Sequence, residues 1–248
     1  MKILIVRHGD PDYQNDTLTE KGWREARILS ERLKKLPIKD FYVSPLGRAK
    51  ATASLTLQEF NKETVEEPWL EEFVRPRIRR PDRGGELIHV WDWYPEDWMS
   101  QEVFFDKDRW YTHPIMEEGH VKEYYDQVTG SLDALLDSYG YHRDGLLYTC
   151  EEGNSDTIAF FCHFGVECVL LSHLMNISPM VLWHTAFACT TSITTVQSEE
   201  RAKGKVLFRV TEFGDATHLD AAGEPRSDVG HFPERYDPEY GTRPRRVN

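Results

Sequence analysis

The stretch of sequence that decides the fold is Met1-Lys2-Ile3-Leu4-Ile5-Val6-Arg7-His8-Gly9-Asp10. Its apolar residues, Ile3 to Val6, have the length and the β-branched content of a buried strand in a parallel sheet. Gly9 permits a backbone turn immediately after the strand. Because ligands of open α/β sheets bind at the carboxyl ends of the strands, we expect Arg7 and His8 to lie at such a site.

Alternating helices and strands are predicted for the residues that follow. Apolar residues, Trp23 among them, recur at helical spacing over residues 19–36, with Thr19 as the helix cap and Pro37 at its end. Residues 41–43 form a short predicted strand, and residues 46–60 form a second predicted helix. This alternation is typical of βαβ units and predicts a largely parallel sheet.

Residues 74–120 break the alternation and are interpreted as an insertion packed over the edge of the sheet, where it is a candidate lid. The insertion is rich in arginine and tryptophan: Arg75, Arg77, Arg79, Arg80, Arg83, Trp91, Trp93, Trp98 and Trp110. The aromatic residues could form a wall for a substrate, but a separate small core is the favoured interpretation. The arginines are either functional or paired with nearby acids.

Regular patterns return in the second half of the chain. We predict a helix over residues 121–139, strands over 146–150 and 157–162, a helix over 166–175, and a hairpin of 193–197 with 206–212. The tail from Asp220 is predicted to be irregular. The strand over 157–162 ends in His163-Phe164-Gly165, which repeats the opening order of strand, histidine and glycine. His163 is therefore a candidate site residue.

Composition limits the class of protein and its partners. The 248 residues suit one large domain with a substantial insertion. The net charge of −12 argues against a nucleic-acid partner, because no overall positive field attracts phosphate backbones. A phosphorylated small molecule needs only local positive charge, so it remains compatible with this composition. A homodimer is a possible assembly.

Cysteine usage and hydropathy indicate a cytoplasmic protein. The four cysteines lack CxxC spacing and are predicted to be reduced core residues: Cys150, Cys162, Cys168 and Cys189. The apolar run near residue 1 is too short for a signal peptide, and polar residues interrupt the longest later apolar stretch. We therefore expect no membrane partner.

Four motifs follow one another along the chain. They are Arg7-His8-Gly9, Leu18-Thr19-Glu20-Lys21-Gly22, Ser44-Pro45-Leu46-Gly47-Arg48-Ala49-Lys50-Ala51-Thr52, and His163-Phe164-Gly165. Together they resemble the histidine phosphatase superfamily, the phosphoglycerate mutase-like proteins, whose motifs are RHG, LTxxG, SPLxRAxxTA, LxE and a late HG. We therefore predict an α/β fold with three α/β/α layers around a mostly parallel central sheet, to which the insertion at about 74–120 is added.

The resemblance implies a role for each matching residue. It makes His8 the nucleophile that forms a transient phosphohistidine, and a neutral imidazole is a competent nucleophile near pH 7. Arg7 and Arg48 correspond to the phosphate-binding arginines, whose guanidinium groups hold two phosphate oxygens at once and help keep His8 neutral. His163 corresponds to the second family histidine, which stabilises charge on the phosphate. The sequence does not indicate which ring nitrogen of His8 attacks.

A leaving oxygen also needs a proton, which a carboxylic acid with a raised pKa can supply. Leu70-Glu71-Glu72 matches the LxE motif, so the resemblance implies Glu72 as this acid. Glu71 remains an alternative, because neighbours at a strand end point to opposite sides.

Some positions depart from the family pattern. Phe164 follows the second histidine where many relatives have glycine, and this predicts a bulkier pocket wall. Tyr13, Gln14 and Asn15 stand in the loop where the mutase branch typically has tryptophan and asparagine, which favours a phosphatase over a mutase. Asn15, His184 and Thr190 are possible rim residues that could equally be structural.

The leading hypothesis is a phosphatase that hydrolyses a phosphomonoester of a small molecule. No HExxH or HxH spacing is present, so we expect a reaction without a metal ion or cofactor. One alternative is a phosphomutase, which returns the phosphoryl group to an organic acceptor. The other is an inactive relative that binds a phosphorylated ligand or a protein.

Overall fold

A computed structural model describes residues 1–80 and 84–237 of the protein. Arg83 of the insertion lies outside the described residues. The strands are β1 (Lys2–Arg7), β2 (Pro11–Asp12), β3 (Thr17–Leu18), β4 (Ile38–Val43), β5 (Val65–Glu66), β6 (Arg77–Arg79), β7 (Leu87–His89), β8 (His142–Asp144), β9 (Leu147–Thr149), β10 (Thr157–Cys162), β11 (Ile193–Ala202) and β12 (Lys205–Asp215). The helices are α1 (Glu20–Leu33), α2 (Gly47–Phe60), α3 (Pro95–Met99), α4 (Pro114–Glu118), α5 (Val121–Ser138), α6 (Phe164–Met175), α7 (Pro179–Thr185) and α8 (Thr217–Ala222).

The central sheet has a parallel half and an antiparallel half. Its strand order over the described residues is β5-β4-β10-β1-β11-β12-β9-β8. Strands β5, β4, β10 and β1 pair in parallel. Antiparallel pairings then add β11, β12, β9 and β8 in turn. Consequently β11 and β9 oppose the direction of β1, while the other strands of this sheet share it.

Successive side chains of a strand point to opposite faces of the sheet, and helices cover both faces. The result is three layers, with the sheet between two layers of helices. Leu4 and Val6 of β1 pack with α1 and α2 on one face. Ile3 and Ile5 point to the other face, where they join a larger core with α5, α6 and α7. The predicted three-layer α/β fold is confirmed, and β1 ends as expected with Arg7 and His8 at a carboxyl edge.

Several elements differ from the prediction. Helix α1 begins at its expected cap, since Thr19 Oγ1 accepts a hydrogen bond from the Gly22 N–H at 3.1 Å. Trp23, however, is 37% exposed, so its place on the buried face was wrongly predicted. Helix α7 was missed, and the tail forms α8 before it becomes irregular. The hairpin of β11 with β12 is confirmed but is longer than predicted.

The insertion is continuous with the main core. Trp98 and Trp110 are buried in the same apolar cluster as Val169 of α6 and Trp183 of α7. The prediction of a separate small core was therefore wrong, because α7 offers the insertion an apolar surface that the sequence pattern did not reveal. All four cysteines are free thiols, as predicted. Within the described residues, the helices are too short or too polar to cross a membrane.

Candidate active site

Three neighbouring parallel strands deliver the site residues to one edge of the sheet. Arg7 of β1 lies opposite Cys162 of β10, so His8 and His163 follow side by side. Val43 of β4 lies opposite Phe161, which brings Ser44 next to His163 from the other side. The two imidazole rings lie 5.1 Å apart, centroid to centroid.

His8 is held as a neutral imidazole with a defined tautomer. Its Nδ1 lies 2.7 Å from the Gly9 carbonyl oxygen, which can only accept, so Nδ1 carries the proton. The lone pair of the neutral ring is therefore on Nε2. Burial, followed by the charges of Arg7 and Arg48, holds the pKa of His8 well below its usual value. His8 is consequently uncharged near neutral pH with Nε2 available to react.

His163 is also buried and neutral. Its Nε2 shares a 2.8 Å hydrogen bond with Ser44 Oγ, whereas its buried Nδ1 has no partner within the described residues. Burial is the main reason that the pKa of His163 lies well below its usual value, and the neighbouring His8, Arg48 and Arg7 lower it further. A buried nitrogen without a partner costs free energy, and a bound ligand or water would satisfy it.

Arg7 is buried between the rest of the site and the tail. Its Nη1 donates to the Ala188 carbonyl at 2.5 Å, and its Nη2 donates to the Val229 carbonyl at 3.2 Å. The rings of Phe164 and Phe187 lie 5.9 Å and 5.8 Å from the guanidinium carbon. Its buried Nε has no partner within the described part of the chain, so the Nε–H group remains available as a donor to a ligand.

Arg48 lies at the start of α2, and its side chain is held by Asp16. Its Nη1 donates to Asp16 Oδ1 at 2.9 Å, and the Gly47 N–H donates to Asp16 Oδ2 at 2.6 Å. A side chain at Gly47 would place its Cβ 2.0 Å from the Asp16 carbonyl oxygen, so only glycine allows this approach. Tyr13 lies against the Arg48 guanidinium at 5.3 Å. The Arg48 Nε is buried and, among the described residues, unpartnered.

Glu72 meets this group from outside the sheet. Its Oε1 accepts hydrogen bonds from the N–H groups of Phe73 at 2.8 Å and Val166 at 3.1 Å, so it lies against the first turn of α6. Burial raises the pKa of Glu72, although the Phe73 hydrogen bond and the charges of Arg48 and Arg7 oppose this. A raised pKa favours the protonated carboxyl, which is the form that a proton donor needs.

Glu71 points elsewhere and pairs with Arg75 at 2.6 Å. The segment before these two acids is a short 3-10 helix, Pro68–Leu70, not the strand that the sequence analysis assumed. The structure therefore groups Glu72 with Arg7 and Arg48, and it leaves Glu71 at the surface.

Sequence reasoning missed several residues that hold the site. Thr52 Oγ1 accepts from the Gly9 N–H at 2.9 Å and donates to the Arg48 carbonyl at 2.8 Å. The Thr191 N–H lies 3.0 Å from the Arg7 carbonyl and 3.1 Å from that of His8. To make these contacts Thr191 adopts a φ of +56°, which is unfavourable for a β-branched residue. The TA of the SPLxRAxxTA motif was the available signal for Thr52.

The suggested rim residues take different places. Asn15 is exposed and donates through Nδ2 to Asp12 at 2.7 Å. The Nδ1 of His184 bonds to the Met180 carbonyl at 2.6 Å, and its ring stacks on Trp98. Thr190 is fully buried. Among residues 1–80 and 84–237, no group of three or more His, Cys, Asp or Glu side chains is placed to hold a metal ion.

Glu167 is a second buried acid near the site. Thr194 Oγ1 donates to its Oε1 at 2.5 Å. Burial is the largest influence and raises the pKa of Glu167 from 4.5 to about 7, against the opposing effects of Thr194 and Arg7. The unfolded chain therefore ionises at this residue before the folded chain does, so the folded protein loses stability as pH rises from 4.5 toward 7.

The Glu167→Gln variant is expected to remove this loss. The difference in free energy of unfolding, variant minus wild type, should increase by about 2–3 kcal/mol from about pH 5 to about pH 8, because the amide cannot ionise. Urea unfolding of both proteins at each pH measures the difference, in which the other titrating groups cancel. Parallel stability curves for the two proteins would contradict the assignment.

Residues 3–211 match the family model of the histidine phosphatase superfamily (branch 1). The chain belongs to this superfamily. The resemblance inferred from the RHG and HG motifs is thereby confirmed. In this superfamily member, the described tail adds contacts beyond the matched residues, since Val229 bonds to Arg7 and Ser227 Oγ donates to Asp10 Oδ1 at 2.6 Å.

Relatives of this superfamily member include mutases and phosphatases. The chain is 41% identical over 76 residues to a 2,3-bisphosphoglycerate-dependent phosphoglycerate mutase of Thermoplasma acidophilum, a match that spans 38% of the mutase and 26% of this chain. It is 23% identical to a probable phosphatase of Schizosaccharomyces pombe, over 89% of this chain and 96% of that one. The crystal structure of a phosphoserine phosphatase variant from Entamoeba histolytica, in complex with phosphoserine, superposes with a TM-score of 0.58 at 19% identity, covering 88% of this chain and 98% of the other.

Proposed function

We propose that the protein is a metal-independent phosphatase that hydrolyses a phosphomonoester through a phosphohistidine on His8. The observation that carries this proposal is the set of unused polar atoms around His8. Its own Nε2 lone pair, the Nε groups of Arg7 and Arg48, and the Nδ1 of His163 have no partner within the described residues. A phosphoryl group could satisfy these atoms together, because guanidinium groups hold its anionic oxygens while Nε2 faces phosphorus.

In the first step of this mechanism, His8 Nε2 attacks phosphorus and the bond from phosphorus to the ester oxygen breaks. The electron pair of that bond remains on the leaving oxygen, and Glu72 delivers the proton that neutralises it. The alcohol then departs, and a phosphohistidine and a Glu72 carboxylate remain. The arginines hold the charge on the phosphoryl oxygens while these bonds change.

In the second step, water replaces the alcohol. The Glu72 carboxylate takes a proton from the water as its oxygen attacks phosphorus, and the bond to Nε2 breaks. Inorganic phosphate leaves, and both His8 and Glu72 return to their starting protonation states. The low pKa of His8 supports this cycle, because a protonated imidazole has no lone pair for the attack.

A phosphomutase is the second candidate, and the local identity of 41% to a phosphoglycerate mutase favours it. It would use the same first step but transfer the phosphoryl group to a hydroxyl of an organic acid. The loop after the RHG motif carries Tyr13, Gln14 and Asn15 where the mutase branch typically has tryptophan and asparagine. We therefore favour water as the acceptor.

The proposal is tested by supplying a panel of phosphomonoesters in excess EDTA. We expect release of inorganic phosphate, and acid-free quenching of the reaction should yield a peptide phosphorylated at His8. Isomerisation of phosphoglycerate without net phosphate release would favour the mutase. Loss of turnover in EDTA, or hydrolysis without phosphorylation of His8, would contradict the proposed mechanism.

A further inference from the structure

Trp91, an aromatic residue of the insertion, lies beside Glu72, the proposed proton donor. An ideal Cβ built on Gly165 would lie 2.5 Å from Glu72 Oε1, and only 2.7 Å and 2.8 Å from the Cη2 and Cζ3 atoms of Trp91. The Glu72 carboxyl and the edge of the Trp91 ring therefore converge on the same glycine, in the first turn of α6. Only the absence of a side chain at Gly165 allows both to approach it.

The Trp91 ring is fixed in this position by its neighbours. His89 stacks on it with an interplanar angle of 5° at 5.1 Å, and Trp183 packs against it at 5.7 Å. Trp183 is itself anchored, because its Nε1 donates to the Gly165 carbonyl at 3.0 Å. Trp91 is nevertheless only partly buried, so part of its surface remains available for contact.

The remaining walls of the site are aromatic as well. Phe164 and Phe187 lie over the Arg7 guanidinium, and Tyr13 lies over that of Arg48. Phe164 is the residue at which the sequence departs from the family pattern, and the structure places it partly exposed at this wall. Flat apolar surfaces of this kind bind aromatic or apolar groups by burying them from water.

We propose that Trp91 is a specificity-determining residue that binds the leaving group of the substrate and favours aromatic or apolar alcohols. This inference rests on the proposed function, in which Glu72 protonates the leaving oxygen. Because Trp91 and Glu72 meet at Gly165, a leaving group whose oxygen reaches the carboxyl extends beside the indole. The substrate class is then the phosphomonoesters of aromatic or apolar alcohols.

The test compares benzyl phosphate with ethyl phosphate, which are both esters of primary alcohols. The Trp91→Ala substitution is expected to lower kcat/KM for benzyl phosphate by about tenfold or more, and that for ethyl phosphate by about threefold at most. Trp91→Phe should restore much of the difference. Phe105→Ala is the matched control, since Phe105 is a half-exposed aromatic of the same insertion whose ring contacts Trp98.

Binding of benzylphosphonate and ethylphosphonate, which cannot be hydrolysed, provides a readout independent of turnover. If wild type binds benzylphosphonate more tightly than ethylphosphonate and Trp91→Ala loses this preference, the inference is supported even without hydrolysis of any ester. The absence of hydrolysis would then count against the proposed function alone. Equal preference in wild type and Trp91→Ala would overturn the inference. An equal loss on both esters would also overturn it, because Trp91 would then only support the site.

Discussion

The His8→Ala variant is expected to release phosphate about 10⁴-fold to 10⁶-fold more slowly than wild type, because it removes the only atom that we propose attacks phosphorus. Alanine deletes Nε2 but leaves Arg7, Arg48 and His163 in place. The variant should therefore still bind phosphate, now without turnover. Initial rates with a saturating ester, together with calorimetric titration of inorganic phosphate, measure the two quantities separately.

The control for this experiment is His142→Ala. His142 is an exposed histidine of β8 that pairs with Asp137, so its loss should leave the rate within about twofold of wild type. Similar rates for wild type and His8→Ala, with both proteins folded, would refute the nucleophile assignment. Loss of phosphate binding together with activity would instead indicate that His8 organises the pocket.

The Glu72→Gln variant is expected to have the second largest effect, a decrease of about 10²-fold to 10⁴-fold in the rate for an alkyl phosphate. The amide oxygen can still accept the hydrogen bonds from Phe73 and Val166, so the fold of this segment is retained. In the first turnover of p-nitrophenyl phosphate, before water attacks the phosphohistidine, the decrease in nitrophenolate release should be much smaller, because nitrophenolate leaves without a proton. The ratio of these two effects identifies a proton donor, which a purely structural role would not reproduce.

Glu71→Gln is the matched control, since it changes the adjacent carboxyl that pairs with Arg75. Its rates should stay close to those of wild type for both esters. The pH profile adds a second check. Because the protonated carboxyl donates, the wild-type rate on the alkyl ester should fall as pH rises through the raised pKa of Glu72. Retention of this decrease in Glu72→Gln would exclude Glu72 as its source.

The predictable parts of the site share one physical feature. Each lies at or next to the end of a strand or helix that has a strong local sequence pattern. Arg7 ends a buried apolar strand and His8 follows it, while His163 follows another such strand, so the carboxyl edge on which they meet could be inferred from pattern alone. The cap at Thr19 was predictable for the same reason, because an N-cap is satisfied within one helical turn.

Other features depend on contacts between distant segments. Glu72 reaches the site because α6 offers it free N–H groups, among them that of Val166, which lies 94 positions away in the chain. The contact between Val229 and Arg7 joins the tail to the first strand in the same way. No local pattern reports such contacts. The LxE resemblance favoured Glu72, but the sequence left Glu71 open as an alternative and did not indicate a role for the tail.

For this protein, the sequence by itself determined the strand that carries Arg7 and the membership of the superfamily. It also determined which histidines and arginines are the candidate site residues, namely His8, His163, Arg7 and Arg48. Only the tertiary structure decided which nitrogen of His8 is free, which glutamate shares its pocket, and that Trp91 of the insertion stands beside it. The physical reason is that residue type and local spacing set which groups are available. Burial and long-range hydrogen bonds set their protonation states and their neighbours.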